Sequence, residues 1–209
     1  MGMIQVDLFI TLDGVYQAPG GPDEDRTGGF ESGGWQGAYV DGESGRAISA
    51  VIERTDALLL GRRTYDIFAG YWPARGDDDP IAATFNAIPK FVVSRTLTTP
   101  SWEGTTVLTD TAEVRPLRAR FGEVHVVGSG DLVASLLEAD LVDRLNLILY
   151  PLVLGSGKRL FGGRTAPAAF SLVGPPRAFP KGSVSLVYER AGAPVTGVDI
   201  SRQARRPTD

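Results

Sequence analysis

The chain has 209 residues, and 43% of them are hydrophobic, which is enough for a folded core and excludes a wholly disordered protein. Twenty-one basic residues stand against 25 acidic ones, and the net charge of −4 argues against a nucleic-acid-binding surface. Cysteine is absent and histidine occurs once, at His125, which excludes disulfides, thiolate catalysis and a multi-histidine metal site within one chain. We therefore expect no metal.

The sequence has no secretory signal pattern and no uninterrupted apolar stretch of roughly 18 residues. We accordingly expect a cytoplasmic protein that has neither a membrane nor a nucleic acid as its partner.

The first predicted element is a strand over residues 4–12, in which β-branched and aromatic residues alternate before Asp13 and Gly14. Residues 17–45 are rich in glycine and acidic residues and have no periodicity, which is typical of a functional lid or of a disordered segment. The aromatic side chains of this segment favour the lid, because disordered segments seldom carry them.

Strands and helices then alternate along the chain. Ser44 is the predicted N-cap of a helix over residues 44–54, and the acidic run at residues 77–80 is predicted to be a solvated loop. Further strands are predicted over residues 57–60, 90–94, 105–108, 123–127, 144–154, 170–173 and 183–189. Further helices are predicted from residue 64, over 116–121 and over 131–139.

This order predicts one α/β domain over residues 4–190, a three-layer sandwich whose sheet has an antiparallel C-terminal edge. Residues 191–209 are polar and aperiodic and are predicted to be a flexible tail. His125 lies inside an apolar strand, and no Gly-x-Ser-x-Gly elbow accompanies it, so we interpret it as a structural residue.

Three predicted strands end in residues that favour an anion. Gly61-Arg62-Arg63 and Gly128-Ser129-Gly130 each lead from a strand into a helix, and Ser94-Arg95 ends a third strand. Helix N-termini and guanidinium groups attract phosphate, and the carboxyl ends of parallel strands share one edge of a sheet. The sequence thus predicts a ligand with at least two separated phosphate groups.

Each of these motifs also has a simpler interpretation, as a tight turn or a solvated pair of arginines. The stricter nucleotide-binding patterns are not met. Val133 stands where a dinucleotide fingerprint has its third glycine. Leu152 and Arg159 break the P-loop pattern around Gly155-Ser156-Gly157-Lys158. A Rossmann domain and a P-loop NTPase are therefore rejected.

Taken in order, five segments resemble the dihydrofolate reductase-like superfamily, most closely the branch with the C-terminal reductase domain of bacterial riboflavin biosynthesis. These segments cover residues 11–14, 60–65, 93–95, 127–130 and 151–157, the last followed by Leu160-Phe161. The likeness spans about residues 4–190. It implies a mostly parallel eight-stranded sheet flanked by helices, a bound NADPH and a homodimer.

The resemblance also implies which residues bind the cofactor. Its phosphates would meet Gly61, Arg62, Arg63 and Thr64, and its pyrophosphate would lie over Gly128, Ser129, Gly130, Asp131 and Leu132. Ser94 and Arg95 would hold the adenosine 2′-phosphate, which suits the bidentate geometry of arginine. Because a carboxylate repels phosphate, we expect Asp131 to turn away and cap its own helix.

The candidate catalytic residues are Asp13 and Asp41. The dihydrofolate-reducing branch carries a carboxylate on the helix after the first loop, whereas the inward positions of that helix are apolar here, which disfavours dihydrofolate reduction. Asp41 is close by, just before the helix, and the Leu-Asp-Gly stretch at Asp13 matches the riboflavin branch. Asp13 is alternatively a turn former beside Gly14.

Four aromatic residues are candidates for stacking on a flat substrate: Trp35, Tyr39, Trp72 and Tyr150. Rings in the long segment are equally compatible with holding that segment on the domain, and Tyr150 with facing the core.

The predicted function is an NADPH-dependent reductase of a small planar heterocycle, pterin- or pyrimidine-like. One alternative is a nucleotide-binding module that has lost catalysis and acts as a sensor or partner protein. Another is a riboflavin-pathway reductase of a ribosylated aminopyrimidine, whose phosphate would need a basic pocket such as Lys158, Arg159 and Arg164.

Overall fold

The computed structural model describes residues 2–76, 78–161 and 165–199. A nine-stranded sheet in the order β4-β3-β2-β5-β1-β6-β9-β7 runs through it, with β8 paired beside β9. The strands are β1 (Met3–Thr11), β2 (Ala57–Gly61), β3 (Lys90–Val93), β4 (Thr105–Leu108), β5 (Glu123–Val127), β6 (Arg144–Tyr150), β7 (Phe170–Leu172), β8 (Arg177–Ala178) and β9 (Val184–Arg190).

The pairings from β4 to β6 are parallel, and β9 pairs antiparallel with β6, β7 and β8. This confirms the mostly parallel sheet with an antiparallel C-terminal edge. The predicted strand number was eight, and the ninth is the two-residue β8 beside the main path.

The helices lie on both faces of the sheet. They are α1 (Gly42–Ile52), α2 (Arg62–Tyr71), α3 (Pro80–Ala87), α4 (Leu117–Arg120) and α5 (Gly130–Glu138). On one face, Ile52 of α1 and Phe85 of α3 pack with Leu58 and Leu60 of β2. On the other face, α4 and α5 cover β1 and β5 in the larger core cluster. The three-layer sandwich is thereby confirmed.

Local signals placed some helix ends wrongly. Asp41, not Ser44, is the N-cap of α1, because the Asp41 carboxylate accepts the N–H groups of Glu43 and Ser44. Ser44 completes the capping box from the third helical position. Of the acidic run, Asp77 lies outside the described residues, and Asp79 caps α3, a helix that the sequence analysis did not predict.

The predicted long strand ends at Tyr150, directly before Pro151, which has no N–H for a central ladder. Residues 191–199 form neither helix nor strand, and the rest of the predicted tail lies outside the described residues. Within the described part of the chain, no helix combines the length and the apolar composition needed to cross a membrane.

Candidate active site

Two helix N-termini without side-chain caps lie at the carboxyl edge of the sheet. Helix α2 begins after Gly61 at the end of β2, and α5 begins after Ser129 at the end of β5, the neighbour of β2. Neither N-cap makes a side-chain cap hydrogen bond, whereas aspartates cap α1 and α3. The positive ends of two helix dipoles therefore meet at one edge, which favours an anion.

A chain of hydrogen bonds joins the two turns. The Gly61 N–H donates to Ser129 Oγ at 2.9 Å, and Ser129 Oγ donates to Thr64 Oγ1 at 2.6 Å. Ser129 has left-handed backbone angles (φ 64°, ψ 64°), a conformation that costs free energy in a residue other than glycine. Ser129 and Thr64 thus hold the two turns together. The sequence analysis predicted only that they contact phosphate.

The turn after β3 completes this edge. Ser94 is buried, and its Oγ accepts the N–H groups of Thr96 at 3.3 Å and Leu97 at 3.1 Å. Arg62 Nη1 lies 3.4 Å from Thr96 Oγ1, so the start of α2 touches this turn. The structure therefore brings the three predicted anion-binding segments together, and it adds Thr96, which no sequence motif marked.

The arginines at this edge differ in their partners. Arg62 Nε lies 2.8 Å from a carboxylate oxygen of Asp66, and Arg63 Nη1 lies 3.5 Å from Asp25 in the long segment. Arg95 is exposed and has no carboxylate within ion-pair distance among the described residues. Arg95 is therefore the guanidinium group that can take up an anion without giving up an existing ion pair.

The first turn of α5 departs from the sequence prediction. Asp131 was expected to cap its own helix, but Ser129 is the N-cap and Asp131 is exposed in the first turn. The Leu132 side chain is buried in the core, so only its backbone can face a ligand. The Gly130 N–H donates to the Tyr16 hydroxyl at 3.1 Å. Sequence reasoning missed Tyr16, because no local pattern links it to α5.

Asp13 is held by four hydrogen-bond donors at the end of β1. Its carboxylate accepts from Thr11 Oγ1 at 2.6 Å, the Gly155 N–H at 2.9 Å, the Leu154 N–H at 3.2 Å and Arg159 Nη2 at 3.1 Å. The hydrogen bond from Thr11, followed by those from the other donors, holds the Asp13 pKa well below its usual range. An ionised carboxylate has no proton to donate, and Asp13 instead fastens β1 to the turn at residues 154–155.

Replacing Asp13 by asparagine is expected to lower the melting temperature at pH 7, since the charged acceptor is lost. The depressed pKa contributes stability above the unfolded-state pKa of about 3.9, and acidification through the folded-state pKa removes that stability. The difference from the wild type should therefore shrink below about pH 4. Melting curves across pH, with Asp23→Asn at an exposed position as the control, test this. A difference that stays constant down to pH 3 contradicts it.

Asp41, the second predicted catalytic residue, is occupied at the N-terminus of α1. Besides capping the helix, it accepts the Lys181 N–H at 3.1 Å. The backbone hydrogen bond from Ser44, with those from Lys181 and Glu43, lowers the Asp41 pKa. The structure therefore gives Asp41 a structural task and no spare proton at neutral pH.

Three of the four predicted aromatic residues form one cluster. Tyr150 is buried and has Trp35 at 5.4 Å and Tyr39 at 6.4 Å, measured between ring centroids. Trp35 Nε1 donates to the Gln17 carbonyl at 2.8 Å, and Gln36 Nε2 donates to the Tyr150 hydroxyl at 2.8 Å. The cluster pins the long segment to the sheet, and Tyr39 is the half-buried ring among the three.

The placement of Trp72 does not support its predicted role. Its ring packs against Phe85 at 5.3 Å and Phe68 at 5.9 Å, beyond the C-terminus of α2. Helix α2 begins at the carboxyl edge of the sheet and has ten residues, so Trp72 at its end lies about 15 Å from that edge.

The basic pocket expected for a substrate phosphate is not formed as predicted. Lys158 is paired with Asp25, and Arg159 with Asp13. Arg164 lies outside the described residues. A separate apolar cavity of about 460 Å³ lies on the face of the sheet that α5 covers, and Leu137, Leu147, Leu186 and Phe170 are among the residues that line it.

These features define an α/β protein of the dihydrofolate reductase-like fold. The chain belongs to the RibD C-terminal domain family, whose sequence profile matches residues 3–175. The predicted resemblance is thus confirmed. The protein YyaP of Bacillus subtilis strain 168, described as uncharacterized, is 26% identical over 194 residues, 90% of this chain and 95% of YyaP.

Solved structures share the fold at low sequence identity. A putative riboflavin biosynthesis protein of Shewanella sp. PV-4 has a TM-score of 0.69 and 20% identity, covering 90% of this chain and 98% of that one. A pyrimidine reductase-like protein of Corynebacterium diphtheriae has a TM-score of 0.61 and 14% identity, covering 90% and 92%. Dihydrofolate reductase of Enterococcus faecalis, complexed with NADP(H) and RAB-propyl, has a TM-score of 0.59 and 14% identity, covering 91% and 97%.

Proposed function

We propose that this protein is an NADPH-dependent reductase of a small planar heterocycle of the pyrimidine or pterin type. The observation that carries the proposal is that two helix N-termini, neither bonded by its N-cap side chain, lie at one edge of the sheet with Arg95, which has no ion pair among the described residues. Similar proteins support the reaction class, since one is a pyrimidine reductase-like protein and another is a dihydrofolate reductase complexed with NADP(H).

The residues at this edge fit a dinucleotide with an additional phosphate. At Gly61 a Cβ would lie 2.7 Å from Ser129 Oγ, and at Gly130 a Cβ would lie 2.6 Å from the Tyr16 hydroxyl. Glycine at both positions therefore allows Ser129 and Tyr16 to pack closely against the two turns, which holds the starts of α2 and α5 side by side. The diphosphate would lie over the starts of α2 and α5, and Arg95 would hold the 2′-phosphate. When bound, NADPH supplies a hydride.

The remaining tasks fall to the chain itself. The protein must hold the heterocycle beside the coenzyme, exclude water and supply a proton. The long segment is held on the sheet by the packing of Trp35 against Tyr150 of β6. It covers the ends of β1 and β6.

NADPH binding tests the proposal directly. At a concentration of 100 times Kd, NADPH should raise the melting temperature by about 5–10 °C, and NADH at the same concentration should raise it less. Loss of NADPH absorbance in the presence of pterins, pyrimidines, flavins or quinones then identifies the substrate class. Equal and negligible shifts with both coenzymes would refute the proposal.

A nucleotide-binding module without catalysis is the second candidate, favoured by one observation. Both predicted catalytic carboxylates, Asp13 and Asp41, accept hydrogen bonds from other groups of the protein. Coenzyme binding without NADPH oxidation across the whole panel would select this candidate over the reductase.

A further inference from the structure

A buried group of hydrogen-bonded polar side chains lies on the sheet, where Asp7 of β1 is level with Val127 at the end of β5. His125 is 1% exposed, and its Nδ1 lies 2.5 Å from Asp7 Oδ2 while its Nε2 lies 3.2 Å from Glu123 Oε2. Asn146 Nδ2 donates to Asp7 Oδ1 at 2.7 Å and to Gln5 Oε1 at 3.0 Å. Two side chains therefore hold Asp7 of β1, which are His125 from β5 and Asn146 from β6.

The pairing register places these side chains on the face of the sheet that α1 covers. His125 of β5 pairs with Leu58 of β2, and paired residues point to the same face. Leu58 belongs to the core cluster against which Ile52 of α1 packs. Gln5 pairs with His125, so Gln5 and, two residues along, Asp7 also point to the α1 side.

Several side chains between α1 and this part of the sheet are incompletely buried. The Asp7 side chain is 19% exposed, and Phe9 and Ile148, two residues further along their strands, are half-buried. On the helix, the inward Ala47 and Ile48 are half-buried as well. We call the space between α1 and these strands the α1 cleft, and it lies beside the aromatic cluster, against which Phe9 and Ile148 pack.

Such a group is costly if it serves only to stabilise the fold. Apolar side chains of similar volume commonly stabilise a core as well as buried charges do, and a buried donor without a partner costs free energy. Gln5 is 2% exposed, and its Nε2 makes no hydrogen bond within the described part of the chain. The unsatisfied amide and the exposed side of Asp7 together indicate a site built for a ligand.

We propose that Asp7 is the catalytic carboxylate of the α1 cleft, which binds N–H groups of a planar nitrogen heterocycle and delivers a proton to it. His125 is the positioning residue that holds Asp7 and stores that proton. Each Asp7 oxygen has one protein donor, and a carboxylate has about four acceptor positions, so acceptors remain for a ligand such as an aminopyrimidine. This inference rests on the proposed reductase function.

Reduction of a C=N bond adds a hydride to carbon and a proton to nitrogen. The N–H bond at His125 Nδ1 breaks, its proton moves to Asp7 and on to the ring nitrogen, and the imidazole is left neutral. After release of the product, Asp7 takes a proton from water and returns it to Nδ1.

The surroundings of His125 keep the proton available. Burial alone lowers its pKa, but the hydrogen bond and charge of Asp7, and then those of Glu123, outweigh burial and raise the pKa above its ordinary value. The protonated form therefore persists to a higher pH than in a free imidazole, and it is lost as the pH rises through the raised pKa. Further charged groups around the pair are Arg54, 3.9 Å from Glu123, and the ion-paired Arg144 and Glu189.

The single histidine makes this group directly observable. In the NMR spectrum of the wild-type protein, 2,4-diaminopyrimidine should shift the His125 ring signals and change the pKa that they report. The same titration with 2,4-dimethoxypyrimidine, which has no N–H groups, should leave them unchanged. No shift with 2,4-diaminopyrimidine, or equal shifts with both compounds, would overturn the proposal without any variant.

Two matched variants separate the cleft from the rest of the group. Asp7→Asn should weaken 2,4-diaminopyrimidine binding by at least about tenfold, because a charge-assisted acceptor is lost. Glu123→Gln should lower the His125 pKa, yet leave the affinity for 2,4-diaminopyrimidine within about twofold, since Glu123 contacts the far nitrogen of the ring. Equal losses in the two variants would contradict the assignment of Asp7.

Turnover distinguishes this inference from the proposed function. With the panel compound that supports the fastest NADPH oxidation, Asp7→Asn should lower kcat by about 100-fold while the NADPH affinity stays within about twofold. A kcat within tenfold of the wild type would refute the role of Asp7 while leaving the reductase intact. Failure of NADPH to bind the wild type would instead refute the proposed function.

Discussion

We expect the replacement of Arg95 by alanine to weaken NADPH binding by about 10- to 100-fold and NADH binding by less than about twofold. Charge-assisted hydrogen bonds to a phosphate contribute about 1.5–3 kcal/mol, and each 1.4 kcal/mol corresponds to a factor of ten. Arg95 is exposed and without an ion pair among the described residues, so no existing interaction offsets this loss. Titration of both coenzymes by calorimetry measures the two affinities.

The control for Arg95→Ala is Arg115→Ala. Arg115 is also exposed, but its guanidinium donates to the Ala139 carbonyl beyond the C-terminus of α5, at the opposite edge of the sheet. Its removal should leave both affinities within about twofold. If Arg95→Ala weakens NADPH and NADH binding equally, Arg95 contacts a part that the two coenzymes share. That result would contradict its role in binding the 2′-phosphate.

Gly61→Ala is expected to reduce the free energy of unfolding by about 1–3 kcal/mol and the NADPH affinity by at least about tenfold. The backbone at Gly61 (φ −77°, ψ 160°) is accessible to alanine, so the effect arises from contacts alone. The added Cβ would lie 2.7 Å from Ser129 Oγ and 2.9 Å from Ser129 Cβ. It would push apart the two turns that the Gly61–Ser129–Thr64 hydrogen bonds hold together.

Gly70→Ala is the matched control, since Gly70 lies in α2, the helix that follows Gly61, and a Cβ at Gly70 meets nothing within 4 Å. Alanine is the better helix former, so Gly70→Ala should leave the protein equally stable or stabilise it by up to about 1 kcal/mol. Chemical denaturation and NADPH titration measure both variants. A Gly61→Ala protein with wild-type stability and NADPH affinity would show that the close packing of the turns is not required.

Much of the candidate site was predictable, because its signals are local. A strand that ends in glycine before a helix exposes backbone amides wherever it occurs, and Gly61 and Gly128 carry that signal within a few residues. The parallel order of the strands then brings such ends to one edge. The predictions that the structure does not support concern side chains whose hydrogen-bond or packing partners lie far away in the sequence.

Asp13 and Asp41 illustrate the limit. The sequence showed acidic residues near a turn and a helix. Besides the local donors Thr11 and Ser44, however, donors from distant segments bind them, with Gly155 bonded to Asp13 and Lys181 bonded to Asp41. These donors keep both carboxylates ionised. Which carboxylate retains a proton or an open acceptor is a property of the packed chain.

By itself, the sequence determined the alternation of strands and helices, the family resemblance and the candidate anion-binding segments at the sheet edge, since each depends on patterns a few residues long. Only the tertiary structure decided that Trp72 lies far from that edge and that His125 pairs with Asp7, 118 positions away. The physical reason is strand register: neighbouring side chains in a parallel sheet meet through pairings that no local pattern specifies.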